Sequence, residues 1–114
     1  MQILNTTRGT TIAKCASYAE TFSSRLVGLL KRNSLGADEA LVITSCNAIH
    51  MFFMKFSIDV IFVGKENRVV GLVKGIKPFH LSPIFWKATY AIEVSVGTIK
   101  ESQTQLGDAV ILKD

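Results

Sequence analysis

The segment Ile58-Asp59-Val60-Ile61-Phe62-Val63 narrows the folds open to this chain more than any other stretch. It is apolar at five of six positions and rich in β-branched residues, which suits a pleated strand. Ile61 and Val63 fall on one face, and Ile58, Val60 and Phe62 on the other, so both faces need cover. Arg68 to Lys74 has similar character, and Gly64-Lys65-Glu66-Asn67 joins the two as a hairpin loop. A hairpin buried on both sides must lie inside a layered β structure. The chain has 114 residues, 48% of them hydrophobic. That suffices for one domain, residues 1–114, with one modest core, and it is too apolar for a disordered chain.

The other segments agree with a mainly β fold. Gln2 to Thr7 reads as a strand ended at Arg8-Gly9, and Thr10 to Tyr18 as a second strand. Ala40 to Thr44 is a short apolar strand, and Ala109 to Leu112 a final one. Tyr90 to Val96 alternates, which predicts Tyr90, Ile92, Val94 and Val96 facing in and Ala91, Glu93 and Ser95 facing out. Thr98 to Gln105 has room for a helical turn or two. One longer helix is expected near residues 22–32: Phe22, Leu26, Leu29 and Leu30 share a face, and Thr21 or Ser23 can cap it. Strands and helices do not alternate, which excludes a doubly wound parallel sheet. The expected architecture is a compact antiparallel sandwich or partly open, jelly-roll-like barrel with that helix packed on it.

The net charge is +4, and only Lys31 and Arg32 adjoin among the basic residues, so no basic arm for nucleic acid is present. The Met-Gln-Ile-Leu-Asn-Thr-Thr-Arg start does not read as a signal peptide, and charges break the most apolar region before it reaches a membrane span of about 20 residues. A cytoplasmic location is expected, with no membrane partner. Cys15 and Cys46 form neither a CxxC nor a zinc pattern and read as reduced thiols, with a mutual disulfide as the alternative. The sequence holds no P-loop, dinucleotide fingerprint, nucleophile elbow or HExxH, and no cofactor is expected.

Chemistry concentrates in residues 46–59. On a strand, Cys46, His50 and Met54 would share a face as soft donors, although i to i+4 on a strand spans about 13 Å, too far for one ion. The plainer reading has Met51 and Met54 filling core gaps and His50 bonding the backbone. Asp59 sits among apolar neighbours, so a partner is required, and Arg25 is the attractive one. Glu93 reads as solvated, or as lining a concave surface near His50 if the sheet curves. Asp108 after Gly107 reads as a turn aspartate. Trp86 and Phe79, in the loop from Lys77 to Lys87 that holds Pro78 and Pro83, suggest either an aromatic lip for a ligand or partner or a loop packed onto the core.

These residues also form a pattern. Arg25-Leu26-Val27-Gly28-Leu29-Leu30, then Ile49-His50-Met51-Phe52-Phe53-Met54-Lys55-Phe56-Ser57-Ile58-Asp59-Val60-Ile61-Phe62, Val69-Val70, Lys77-Pro78, Ile92-Glu93-Val94 before Gly97, and Gly107-Asp108 occur in order. In this the chain resembles the bacterial and archaeal family called domain of unknown function 192, from about Arg25 to Leu112. Met51 departs from the pattern, standing where many members have a small hydroxylated residue. The resemblance implies a mainly β sandwich with one packed helix and no established activity. It carries over Arg25, Gly28, His50, Met54, Asp59, Glu93 and Asp108 as a site.

Three functional expectations result. The first is a non-catalytic domain binding a small polar or anionic ligand, or a peptide, near Arg25, His50, Met54, Asp59, Trp86 and Glu93. The second is a metal-assisted hydrolase using His50, Asp59 and Glu93, which requires those three side chains to converge within about 5 Å. The third is a weak binder of single-stranded nucleic acid, disfavoured by the scattered charge.

Overall fold

A computed structural model describes residues 1–19, 34–52 and 54–114. The helix expected near residues 22–32, with Arg25 and Gly28, lies outside the described residues. Among the described residues, eight strands form two sheets: β1 (Gln2–Asn5), β2 (Thr10–Ala13), β3 (Cys15–Ala19), β4 (Glu39–Thr44), β5 (Ile58–Val63), β6 (Val69–Ile76), β7 (Tyr90–Ser95) and β8 (Val110–Lys113). The smaller sheet has the order β2-β1-β8 and the larger β3-β4-β7-β5-β6. Neither closes into a barrel, and the fold is mainly β, as expected. One helical turn, α1 (Thr98–Glu101), follows β7.

The expected strand from Thr10 to Tyr18 is two strands. Lys14 is in neither, and there the chain passes from the smaller sheet, where β2 pairs with β1, to the larger, where β3 pairs with β4. The β3–β4 pair is parallel, so the larger sheet is not wholly antiparallel. Two stitches hold the sheets at their corners: Ala16 donates its amide hydrogen to the Met1 carbonyl at 2.7 Å, and Arg68 bridges to Ala109.

The larger sheet has a core on each face, which explains the apolar run in β5. Ile61, Val63, Ile92, Val94 and Val42 pack with Ile3, Ile12 and Val110 of the smaller sheet. On the far side, Ile58, Val60, Phe62 and Ala91 pack with Ile49, Met51, Met54 and Phe85. The second core is roofed by two loop segments that run antiparallel. Met51 donates to the His80 carbonyl at 2.9 Å, Ser82 to Ile49 at 2.8 Å and Phe85 to Asn47 at 2.8 Å. These bonds satisfy main-chain groups that would otherwise be stranded over an apolar layer.

That layering corrects the reading of β7. Ala91, Ile92, Glu93 and Val94 are all buried, because β7 lies between β4 and β5 with a core above and below. Glu93 is fully buried rather than solvated, and Val96, expected to face in, is 57% exposed.

Candidate functional site

Asp59 is a structural anchor. Its Oδ1 accepts the Gly75 amide hydrogen at 2.8 Å, and its Oδ2 accepts those of Gly97 and Ile99, both at 3.1 Å. The carboxylate thus ties β6 to β5 and caps α1 from a neighbouring strand, at the helix end that favours negative charge. Among the described residues, main-chain donors bond to both oxygens, and the partner expected from sequence, Arg25, lies outside those residues.

Register separates the residues assigned to a hydrolase. Asp59 faces Val94 across the β5–β7 pair, and Glu93 faces Val60. Directly paired residues project to one face, so Asp59 and Glu93 leave the sheet on opposite sides. The expected convergence of His50, Asp59 and Glu93 is therefore not formed. Among the described residues, no three His, Cys, Asp or Glu side chains group as metal ligands.

Cys46, His50 and Met54 do not share a strand face, because residues 46–52 and 54–56 form irregular chain with one isolated bridge, His50 to Leu81. Met51 and Met54 are buried core fillers. His50 is half-buried, its ring 5.0 Å from that of Phe52, and Nδ1 accepts the Phe52 amide hydrogen at 3.4 Å. No disulfide joins Cys15 and Cys46, and the Cys46 thiol donates to the Ala48 carbonyl at 3.2 Å.

Asp108 sits at the turn expected of it but is buried. It accepts from the Arg8 guanidinium at 3.0 and 3.2 Å, from the Asn5 carboxamide at 3.0 Å and from the Gln105 amide at 2.9 Å. Burial pushes its pKa up, but these hydrogen bonds and the Arg8 charge outweigh burial and hold it below the ordinary value. This cluster locks β1 to the segment before β8.

The loop from Lys77 to Lys87 presents Phe79, Leu81, Ile84 and Trp86, each at least half exposed. Its far end is firmly seated. The Phe85 ring stacks on Phe62 at 4.5 Å and fills the space where a Gly71 side chain would be, since a Cβ there would meet that ring at 2.3 Å. A Cβ at Gly64 would meet the Lys87 carbonyl oxygen at 2.6 Å. Two glycines in the β5–β6 hairpin therefore let the loop lie directly on it. With Phe85 directed inward, Trp86 is left 80% exposed.

Beside it opens a cavity of about 570 Å³, lined by Lys65, Val70, Trp86, Lys87, Ala88 and Thr89. Its chemistry is an apolar and aromatic wall with two cationic side chains and no acid. Thr89 turns its hydroxyl to the Val63 carbonyl at 3.2 Å, which fixes that side of the cavity. Trp86 was legible in the sequence as an exposed aromatic. Lys65 and Lys87 were not, because neither spacing nor composition distinguishes them from other surface lysines.

The fold and these features define a small two-sheet β sandwich with a loop-roofed second core and an open cavity at the loop's end. The chain belongs to the DUF192 family, described as uncharacterised, whose model matches residues 3–112. A UPF0127 protein of Thermococcus sibiricus is 34% identical over 112 residues, covering 95% of this chain and 72% of that protein. One from Pyrococcus furiosus is 31% identical over 93% of each chain. Among solved structures, a Novosphingobium aromaticivorans protein of unknown function superposes with a TM-score of 0.80 at 21% identity, over 97% of this chain and 82% of its own. A Sinorhizobium meliloti protein described as a candidate transcription regulator gives 0.76 at 18% identity, over 96% and 89%. Both structural likenesses concern the fold alone. No helix among the described residues is long and apolar enough to cross a membrane.

Proposed function

We propose that this protein is a non-catalytic binding domain for a small anionic ligand with a flat apolar body, held in the cavity beside Trp86. The observation that carries this reading is the pairing of an exposed indole with Lys65 and Lys87 around about 570 Å³ of space, on a loop clamped by Phe85. That volume lies within the range of small-molecule sites. Trp86 offers a face for stacking, Val70 and Ala88 an apolar wall, and the two ammonium groups attract a carboxylate or phosphate. The clamped loop means that little order is lost when the ligand binds. Relative to the sequence expectation, the anionic ligand and Trp86 are retained, and Asp59 is assigned to the scaffold.

Trp86 is the chain's single tryptophan, so its fluorescence reports on the cavity directly. Naphthoate is expected to quench it saturably, and the uncharged naphthamide to bind more weakly. Lys65→Gln and Lys87→Gln should each weaken naphthoate by about two- to five-fold, as expected for exposed charge pairs worth up to about 1 kcal/mol. Equal binding of naphthamide, or lysine variants that bind naphthoate unchanged, would refute the reading.

A further inference from the structure

A second cavity, of about 410 Å³, opens between the two sheets. β3, β4 and β7 of the larger sheet supply Tyr18, Thr44 and Tyr90, and β8 of the smaller supplies Ile111. The turn after β5 adds Asn67, whose carboxamide oxygen accepts a hydrogen bond from the Tyr90 hydroxyl at 3.2 Å. Val42 and Leu112 complete the apolar part of the wall.

We infer that this inter-sheet cleft is a binding site for an uncharged, hydroxyl-rich ring, that is, a saccharide. No Asp, Glu, Lys or Arg lines it, so an ion entering would leave water without a compensating charge. The polar groups present are three hydroxyls and one carboxamide, which both donate and accept. A saccharide needs such partners, because each of its hydroxyls does the same. Its C–H faces need apolar cover, which the tyrosine rings and the aliphatic side chains of Val42, Ile111 and Leu112 provide. A purely apolar ligand would leave those hydroxyls facing hydrocarbon.

Tyr18 is 55% exposed and Ile111 39%, which keeps the cleft open to a solute, while Tyr90 and Leu112 sit deeper. Burial, and secondarily the neighbouring Tyr18, raise the Tyr90 phenol to about 12. It therefore stays protonated and able to donate at neutral pH. The site shares no residue with the Trp86 cavity.

Amide chemical shifts of the whole chain, titrated with the methyl glycosides of glucose, galactose and mannose, test this. At least one glycoside should perturb the amides of Tyr18, Thr44, Tyr90 and Ile111 saturably, with a Kd near 1 mM or below. Tyr18→Ala should weaken that binding at least ten-fold, and Tyr18→Phe by a smaller factor, both at unchanged melting temperature. Trp86→Ala should leave it unchanged, which separates this site from the anion cavity. The inference is overturned if no glycoside shifts these amides saturably up to about 10 mM. It is equally overturned if Tyr18→Ala folds and binds as the parent does. Should Tyr18→Ala not fold, Thr44→Val takes its place, with weakened binding expected and unchanged binding overturning the inference.

Discussion

The Oδ2 atom of Asp59 lies 3.1 Å from the amide nitrogen of Gly97, a hydrogen bond that joins β5 to the start of α1 across 38 residues. The same oxygen accepts from Ile99, and Oδ1 from Gly75, so one buried carboxylate satisfies three main-chain donors on two other segments. Asp59→Ala should therefore lower unfolding free energy by about 3 kcal/mol, since donors lose their acceptor away from water. Asp59→Asn should recover no more than half, because its amide group opposes a donor with a donor. Urea denaturation measures both. A loss below about 1 kcal/mol in Asp59→Ala would show that water replaces the carboxylate and that the anchoring role is wrong.

Asp108 gives the fold an acid limit. Its folded pKa is depressed, so the unfolded chain takes up the proton first as pH falls. The stabilisation is fully present above the ordinary carboxylate pKa of about 4 and is lost as pH drops through the folded value below it. Asp108→Asn should thus be less stable than the parent at pH 7 and converge toward it in that acid window. Arg8→Gln should shift the parent's acid transition upward. Parallel acid curves for parent and Asp108→Asn would assign the transition to another carboxylate.

Much of the scaffold can be read from the sequence, because burial on both faces leaves an unbroken apolar run in β5 and because Gly64 to Asn67 can only be a turn between two strands. Glu93 shows where such reading stops. Alternation in β7 marks Ala91 and Glu93 as outward, but both are fully buried, because that face of the sheet is covered by chain distant in sequence. Asp59 was recognised as a buried group needing partners. Main-chain amides leave no trace in side-chain identity, so the donors Gly75, Gly97 and Ile99 were invisible, while Arg25 lies outside the described residues. Trp86 stands out as an aromatic in a Pro-containing loop, whereas the lysines beside it become meaningful only when Gly71 and Phe85 fix where that loop lies.

Tyr90 sets the alkaline behaviour. Its phenol is raised to about 12, first by burial and second by Tyr18. A raised folded pKa means that its contribution is complete below the ordinary phenol value of about 10 and is lost as pH climbs through about 12. Absorbance titration of the native protein should show a phenol ionising near 12, and Tyr90→Phe should abolish that step and flatten the alkaline fall in stability. A native titration complete by about pH 10.5 would mean that the Tyr90 hydroxyl is solvated.

The neighbours Phe85 and Trp86 should respond in opposite ways to truncation. Phe85 stacks on Phe62 at 4.5 Å against the second core, while Trp86 is 80% exposed. Phe85→Ala opens a void and should cost about 3 kcal/mol, near the low end for aromatic truncation because the side chain is only half-buried. Trp86→Ala should change stability by less than about 0.5 kcal/mol, as surface substitutions do, while removing the aromatic face of the cavity. Gly71→Ala completes the comparison. Its methyl group would press into the Phe85 ring, so the loop must lift, at about 1–3 kcal/mol, and Trp86 fluorescence should shift although Trp86 itself is untouched. Thermal melts and emission spectra of the three variants measure these effects. If Gly71→Ala leaves both stability and emission as in the parent, the loop is not clamped, and the cavity beside Trp86 is not preorganised.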